Sequence, residues 1–497
     1  MTLAPSHRQR LSGSKLLLLA ALIITGLSAC DLLKPLPKED NGEDDQTELD
    51  PIQGRRVYDP ETGTYIVVET APTEPMDTIV WKDIPSSEAP PIYSTAGAVV
   101  ADPTGSNPIS PIGVGAEGSQ LLSAYNVAVL LPFLTDRYDT QGDDLPENSE
   151  WALQFYGGMQ MAFDDLASEG IALNVSVLDT RASEVTVGNL VRSNTDVTNA
   201  HLVIGPYRRN NVAAVAERMR LSGGVVVSPH TAANNVTQDN PNYVQVNPTL
   251  ESHCEAIMQH AFAHYRPDQI VLVARDDEAE KARLDYFQRE YRRLTGLMDS
   301  AELQELIVTA TQSDLSDLNL KPYLQYADEK VFIMPMWSDE IFIYNFMRKL
   351  DLDRAADQRI TIYGMPQWMG FERIDFNYYE KLNVHVSSSV FMNPFNPDIQ
   401  QFRRRYFERY GTVPNEEAFV GYDVTRYFCR MINKYGTRFQ YQLETADAER
   451  DMLHTTFAFE GVVNAGTTGM ENRGIQRWEN KYLNILQFKD YQFQLAE

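Results

Sequence analysis

Cysteine is scarce in this chain. Three residues, Cys30, Cys254 and Cys429, are spread over 497 positions. That excludes a dense disulfide framework, and no Cys/His cluster has metal-ligand spacing. Basic residues are also short: 43 Lys and Arg stand against 69 Asp and Glu, for a net charge of -26. No basic stripe with interleaved aromatics occurs, so nucleic acid is not an expected partner. The chain lacks a G-x-S-x-G elbow, a P-loop and a strand-linked G-x-G-x-x-G. Carboxylates are plentiful but no pair is singled out. The expectation is a non-enzymatic protein with no cofactor and no metal.

The N-terminus carries the first positive signal. His7, Arg8, Arg10 and Lys15 precede the apolar run Leu16–Ile24. That run is too short for a comfortable membrane span and has the form of a secretory signal. Leu27-Ser28-Ala29-Cys30 follows and resembles the lipobox of bacterial lipoproteins. The resemblance implies a signal peptide over 1–29 and a diacylglycerol on the Cys30 thiol. It places the protein at the cell membrane or outer membrane as a lipid-anchored chain. The folded domain would lie in the periplasm, with surface exposure left open. Asp31 points to inner-membrane retention, whereas Lys38-Glu39-Asp40 resembles an acidic surface-export tag.

Residues 30–124 read as a disordered tether. Within 31–124 there are 17 acids, 5 bases and 12 of the 26 prolines. Such a composition buries too little apolar surface to offset the entropy of ordering. Two strand-like islands interrupt it, Thr64–Glu69 and Thr78–Trp81.

From Tyr125 apolar strands alternate with amphipathic helices, which predicts an α/β fold of two doubly wound parallel-sheet lobes. Tyr125–Pro132 reads as a strand buried on both faces. A helix over about 150–169 turns Trp151, Phe155, Met159, Ala162 and Phe163 inward and stops at Gly170. Further strands fall at 173–180, 201–206, 225–229, 269–274, 306–308, 330–334, 360–363 and 384–390. A helix is expected near 314–325. The expected division is lobe 1 over 125–247 and 391–455, and lobe 2 over 248–390 and 456–497. Cys254 and Cys429 fall in separate predicted helices and read as buried free thiols.

Val127–Pro132, Gly157–Ala162, Val203–Pro206, Val225–Pro229, Phe402–Tyr410, Gly421–Asp423 and Phe459–Gly461 follow one another at the expected distances. In that order they resemble the type I periplasmic-binding-protein fold, the family of branched-chain amino-acid receptors. Gly205–Val212 is also similar to the LppC family of lipoprotein activators of penicillin-binding proteins. Those activators usually add a helical-repeat domain, where this chain has only its tether.

In doubly wound sheets ligands bind beyond the carboxyl ends of the strands. The candidate ligand-binding residues therefore lie in the loops there. They are Thr135 and Asp136 after the first strand; Arg208, Arg209 and Asn210 before a helix; and His230 and Thr231 after Ser228-Pro229. In the second lobe they are Asp276 beside Arg275, Trp337 and Ser338, and Gln367 and Trp368. A helix N-terminus flanked by arginines suits a carboxylate, and the tryptophans can stack on a ligand or seal the lobe. His260 and His264 have i,i+4 spacing but lack the glutamate of H-E-x-x-H. Two functions compete. One is a solute receptor for uptake or sensing whose partner is a small polar, amino-acid-like or carboxylate-bearing ligand. The other is a regulator of peptidoglycan synthesis that uses the same fold to contact a cell-envelope protein.

Overall fold

The computed structural model describes residues 54–59, 64–69, 118–138, 145–146, 149–296, 302–309, 315–325, 328–445, 452–463 and 474–496. The signal segment, Cys30, most of the expected tether and the island Thr78–Trp81 lie outside these residues. The other island is a strand, β2 (Thr64–Glu69), which pairs antiparallel with β1 (Gly54–Asp59) in register Gly54 with Glu69 to Asp59 with Thr64.

The first lobe starts with β3 (Tyr125–Leu131), which is buried on both faces as its apolar run requires. It continues with helix α1 (Glu150–Ser168), β4 (Leu173–Asp179), α2 (Glu184–Ser193), the single turn α3 (Thr195–Thr198), β5 (Leu202–Ile204), α4 (Arg209–Ser222), β6 (Val225–Ser228) and β7 (Tyr243–Gln245). The chain crosses to the second lobe and forms α5 (Leu250–His264), β8 (Ile270–Arg275), α6 (Glu278–Thr295), β9 (Gln304–Val308), α7 (Lys321–Leu324), β10 (Glu329–Ile333), α8 (Glu340–Asp353), β11 (Arg359–Gly364), α9 (Phe376–Lys381) and β12 (Val384–Ser388). It returns to the first lobe as α10 (Pro397–Tyr410), α11 (Glu416–Tyr435), β13 (Phe459–Val463) and β14 (Ile475–Asn480), then crosses once more to β15 (Asn484–Lys489) and β16 (Gln492–Leu495).

The two sheets have seven strands each, in order β13-β14-β7-β6-β5-β3-β4 and β16-β15-β12-β11-β10-β8-β9. Both are parallel at the centre, with β13, β15 and β16 antiparallel at one edge. The expected α/β architecture of two doubly wound lobes is therefore present.

The expected lobe division differs in one stretch. β13 and β14 join the first sheet rather than the second, and the chain changes lobes only between Asn480 and Asn484. Alternation along a strand shows that one face is buried but not which sheet edge receives it. Here Phe459 packs on Tyr427 and Phe428, and Trp478 on Tyr441, in the core of the first lobe. The expected helix near 314–325 is the single turn α7, whose second residue is Pro322; proline is at home only in a first turn.

Close packing of α1 on α11 places the long helix of the return segment. A Cβ on Gly158 would lie 1.8 Å from the Ala418 carbonyl oxygen, and one on Gly421 2.1 Å from that of Phe155. Each glycine costs helix propensity of roughly 1 kcal/mol relative to alanine. The return is backbone-to-backbone approach, which brings the amino ends of both helices to the same end of the lobe. Cys254 and Cys429 are buried free thiols in different lobes. No helix among the described residues is long and apolar enough to cross a membrane.

Candidate functional site

The carboxyl ends of β5 and β6 carry a group of polar and aromatic side chains. His230, two residues beyond β6, is buried against Trp151 and Phe155 of α1 and Tyr207 beyond β5, with ring centroids 4.9, 5.1 and 5.4 Å away. Its Nε2 lies 2.9 Å from a carboxylate oxygen of Glu417, in the first turn of α11. Trp151 and Tyr207 also pack on each other, 4.6 Å between centroids. Thr231 is fully buried and its hydroxyl donates to the Tyr207 carbonyl, 3.3 Å. His230 and Thr231 thus tie loops and helices together within the lobe.

The expected arginine cluster divides. Arg208 occupies the N-cap position of α4, half-buried. Arg209 turns to the Asn235 carbonyl, 3.0 Å, and the Asn210 amide donates to Glu184, 2.8 Å. The next residue, Asn211, is 2% exposed, and its side-chain oxygen has no hydrogen-bond partner among the described residues. Thr135 is held by Asp179 at the end of β4: its backbone N–H and hydroxyl donate to one carboxylate oxygen at 2.8 and 2.7 Å. Burial raises the Asp179 carboxyl, but these donors and the Arg181 N–H outweigh it and hold the pKa below the ordinary value. Asp136 is exposed beside it.

On the second lobe Arg275 ends β8 and is clamped by two acids, Glu280 through Nε at 2.8 Å and Asp339 through Nη1 at 2.6 Å. Hydrogen bonding to Glu280 is the first cause that raises its pKa, against some burial. Asp276 is ion-paired with Lys281, 3.0 Å. Trp337 lies under the Arg283 guanidinium, 3.6 Å from ring centroid to carbon, and Ser338 is exposed next to it. Gln367 follows β11, is half-buried, and has a buried side-chain oxygen that no described group donates to.

Trp368 corrects an expectation. It is fully buried, its indole N–H donates to the Met336 carbonyl at 2.6 Å, and the Tyr379 hydroxyl donates to its own carbonyl at 2.8 Å. A ring packed on every side inside the lobe offers no face for a ligand to stack on. Its apolar area and its polar atom are both used internally, which a tryptophan at a strand end does not disclose in sequence.

The histidine pair on α5 is structural as well. His260 Nδ1 meets the Tyr363 hydroxyl at 2.7 Å, and the His264 ring stacks on His260 at 4.2 Å. Among the described residues no group of three or more His, Cys, Asp or Glu side chains is arranged to hold a metal ion.

Spacing had no access to the third element of the site, which sits where the chain crosses between lobes. Glu479 near the end of β14 is fully buried and accepts from the Thr249 hydroxyl and the Ser252 hydroxyl, both 2.8 Å, and from the Thr249 N–H at 3.4 Å. Thr249 is the N-cap of α5. A first-lobe carboxylate therefore caps a second-lobe helix, where the helix dipole favours it. Arg477 and Lys481 add ion pairs at 2.6 and 3.2 Å. Burial raises the Glu479 carboxyl, but Lys481, Arg477 and the two hydroxyls outweigh it and drive the pKa far below the usual carboxylate range. Glu417, Trp151, Asn211 and Glu479 were missed as site residues because each acquires its role from a partner far off in the chain.

A family model described as periplasmic binding protein matches residues 148–477. The fold is similar to a putative branched-chain amino acid ABC transporter structure from Rhodospirillum rubrum, at 14% identity and a TM-score of 0.54, covering 75% of this chain and 100% of that one. A substrate-binding protein of an ABC transporter from Desulfitobacterium hafniense, in complex with Leu, matches at 16% identity and a TM-score of 0.47, over 75% of this chain and 100% of that one. A branched chain amino acid ABC transporter periplasmic ligand-binding protein from Burkholderia xenovorans matches at 13% identity and a TM-score of 0.47, over 72% and 94%. Comparison with curated protein sequences gives no match.

Proposed function

The chain belongs to the periplasmic binding protein family, and from that premise we propose that its two lobes take a small, polar, amino-acid-like solute between their strand ends. The observation that carries this reading is that two buried amide oxygens beyond strand ends, Asn211 on lobe 1 and Gln367 on lobe 2, have no hydrogen-bond partner among the described residues. Each follows the carboxyl end of a central parallel strand, β5 and β11. Buried acceptors without donors cost about 1–3 kcal/mol each, and a bound group that donates removes that cost. An ammonium or hydroxyl group meets the requirement. On this reading the N-terminus of α4, with Arg208 at its N-cap position, takes the solute carboxylate. The protein on this reading is a receptor for uptake or sensing and not a catalyst.

We further propose that the domain is exported and held to a membrane through lipid on Cys30. Incorporation of a labelled fatty acid that is abolished by Cys30→Ser supports the anchor, and equal incorporation in the variant rejects it.

The ligand reading is tested by thermal unfolding of the full chain in detergent with each proteinogenic amino acid in turn. A ligand that binds only the folded state raises the unfolding temperature with concentration. The expected result is a rise with at least one of them that is reduced in Gln367→Ala. No rise with any of them rejects the reading.

A further inference from the structure

The crossing from β14 to β15 meets the start of α5 in one ion network, and that network contains more carboxylate than its cations neutralise. Lys481 lies on the crossing itself. Its ammonium is 2.7 Å from the Ser252 hydroxyl, 3.2 Å from Glu479 and 3.7 Å from Glu255 on α5. Glu479 and Ser252 therefore hold it more closely than Glu255 does. Arg477 is engaged by Glu479 and by Asn234.

Glu255 faces charged groups from every side. On its own helix is Glu251, paired with Arg289 of α6; on α6 is Glu290, paired with Arg293. From the first lobe comes Glu479 on β14, and Arg477 on β14 and Glu460 on β13 line a small cavity with Glu255 and Lys481. Burial pushes the Glu255 carboxyl up, Lys481 opposes, and Glu251, Glu290 and Glu479 add to the rise, leaving it at about 7. Below that pH the carboxyl is neutral in this arrangement. Above it a charged carboxylate stands half-buried among like charges, and any rotation that admits water relieves it.

We propose that Glu255 and Lys481 make the interlobe hinge proton-sensitive: protonated Glu255 holds the lobes as they stand here, and its ionisation loosens them. Glu479 is the fixed pivot, because its contacts with Thr249, Ser252 and Arg477 do not depend on Glu255. The inference rests on the lobes moving about this crossing, as the receptor reading requires. Measured without solute, its failure is distinct from failure of that reading.

The test is the distance between spin labels placed on the full chain at exposed positions of each lobe, Leu221→Cys and Leu352→Cys. Of the native thiols, Cys254 and Cys429 are buried, and Cys30 is replaced by serine in every labelled chain, so no native thiol competes. Titration from about pH 5 to about pH 9 covers the transition. The expected result is a change in the distance distribution with a midpoint near neutrality, and a Glu255→Gln chain that keeps the low-pH distribution throughout. A second variant, Lys481→Met, removes the nearest cation and is expected to move the midpoint to higher pH. A distribution that does not respond to pH in the parent chain overturns the proposal, as does a Glu255→Gln chain that follows the parent. If Glu255→Gln does not fold, an unchanged midpoint in Lys481→Met overturns it.

Discussion

His230 and Glu417 stand 187 positions apart and meet at 2.9 Å, joining the loop after β6 to the first turn of α11. The imidazole is 5% exposed and enclosed by Trp151, Phe155 and Tyr207. His230→Ala removes both the hydrogen bond and the packing, and is expected to lower stability by about 2 kcal/mol. Urea unfolding with an unchanged slope and a lower midpoint checks this. A midpoint equal to that of the parent contradicts it.

Gly158→Ala and Gly188→Ala make a matched pair, both in helix interiors. A Cβ at 158 collides with the Ala418 carbonyl, whereas at 188 the nearest atom is Arg192 Nη1 at an ordinary 3.7 Å. The first is expected to cost about 1–3 kcal/mol through displaced backbone, despite the better helix former. The second is expected to gain about 0.5–1 kcal/mol. Thermal unfolding of the two variants reads opposite signs.

Acid is expected to destabilise the fold through its buried histidines. Burial lowers His253 to about 3, and His260 and His385 to about 4. The unfolded chain titrates near 6.5. Between these values the unfolded state binds more protons, so stability is complete above about 6.5 and is lost as pH falls. Glu255 works in the opposite sense, its raised pKa favouring the fold as pH drops from about 7 towards 4.5. His253, whose Nδ1 meets the Ser387 hydroxyl at 2.8 Å, is the group to replace. His253→Asn is expected to flatten the fall of the urea midpoint on acidification, and an unaltered slope argues against it.

The alternation of strands and helices was legible because buried parallel strands such as Val127–Leu131 are near-continuous apolar runs and because Gly170 marks a helix stop. The loops carrying the candidate site followed from the same alternation. What sequence could not supply was pairing at a distance. Trp368 at a strand end reads equally as a stacking platform or as a seal of the lobe until Met336 is seen to accept its N–H. β13 and β14 alternate as any half-buried strands do, and the pairing of β14 with β7, with Trp478 packed on Tyr441 and bonded to the Pro241 carbonyl, assigns them to the first lobe. Glu479 is one acid among 69 in the sequence until its neighbours show it capping a helix of the other lobe.

Gln367 is the residue whose loss separates binding from folding. It is half-buried and its side-chain oxygen is unpartnered among the described residues, so Gln367→Ala removes an unsatisfied acceptor and is expected not to lower the unfolding temperature. Loss of one solute hydrogen bond of about 0.5–1.5 kcal/mol weakens affinity by up to roughly tenfold. Equilibrium titration with whichever amino acid stabilises the parent reads the change. Unchanged affinity removes Gln367 from the site.

The most direct measurement is the Leu221–Leu352 label distance on the full chain at constant pH, with and without a saturating mixture of the proteinogenic amino acids. A receptor that closes on its solute gives a new, narrower distance population on addition, reversed by dialysis. A distribution that is the same with and without the mixture contradicts solute binding between the lobes.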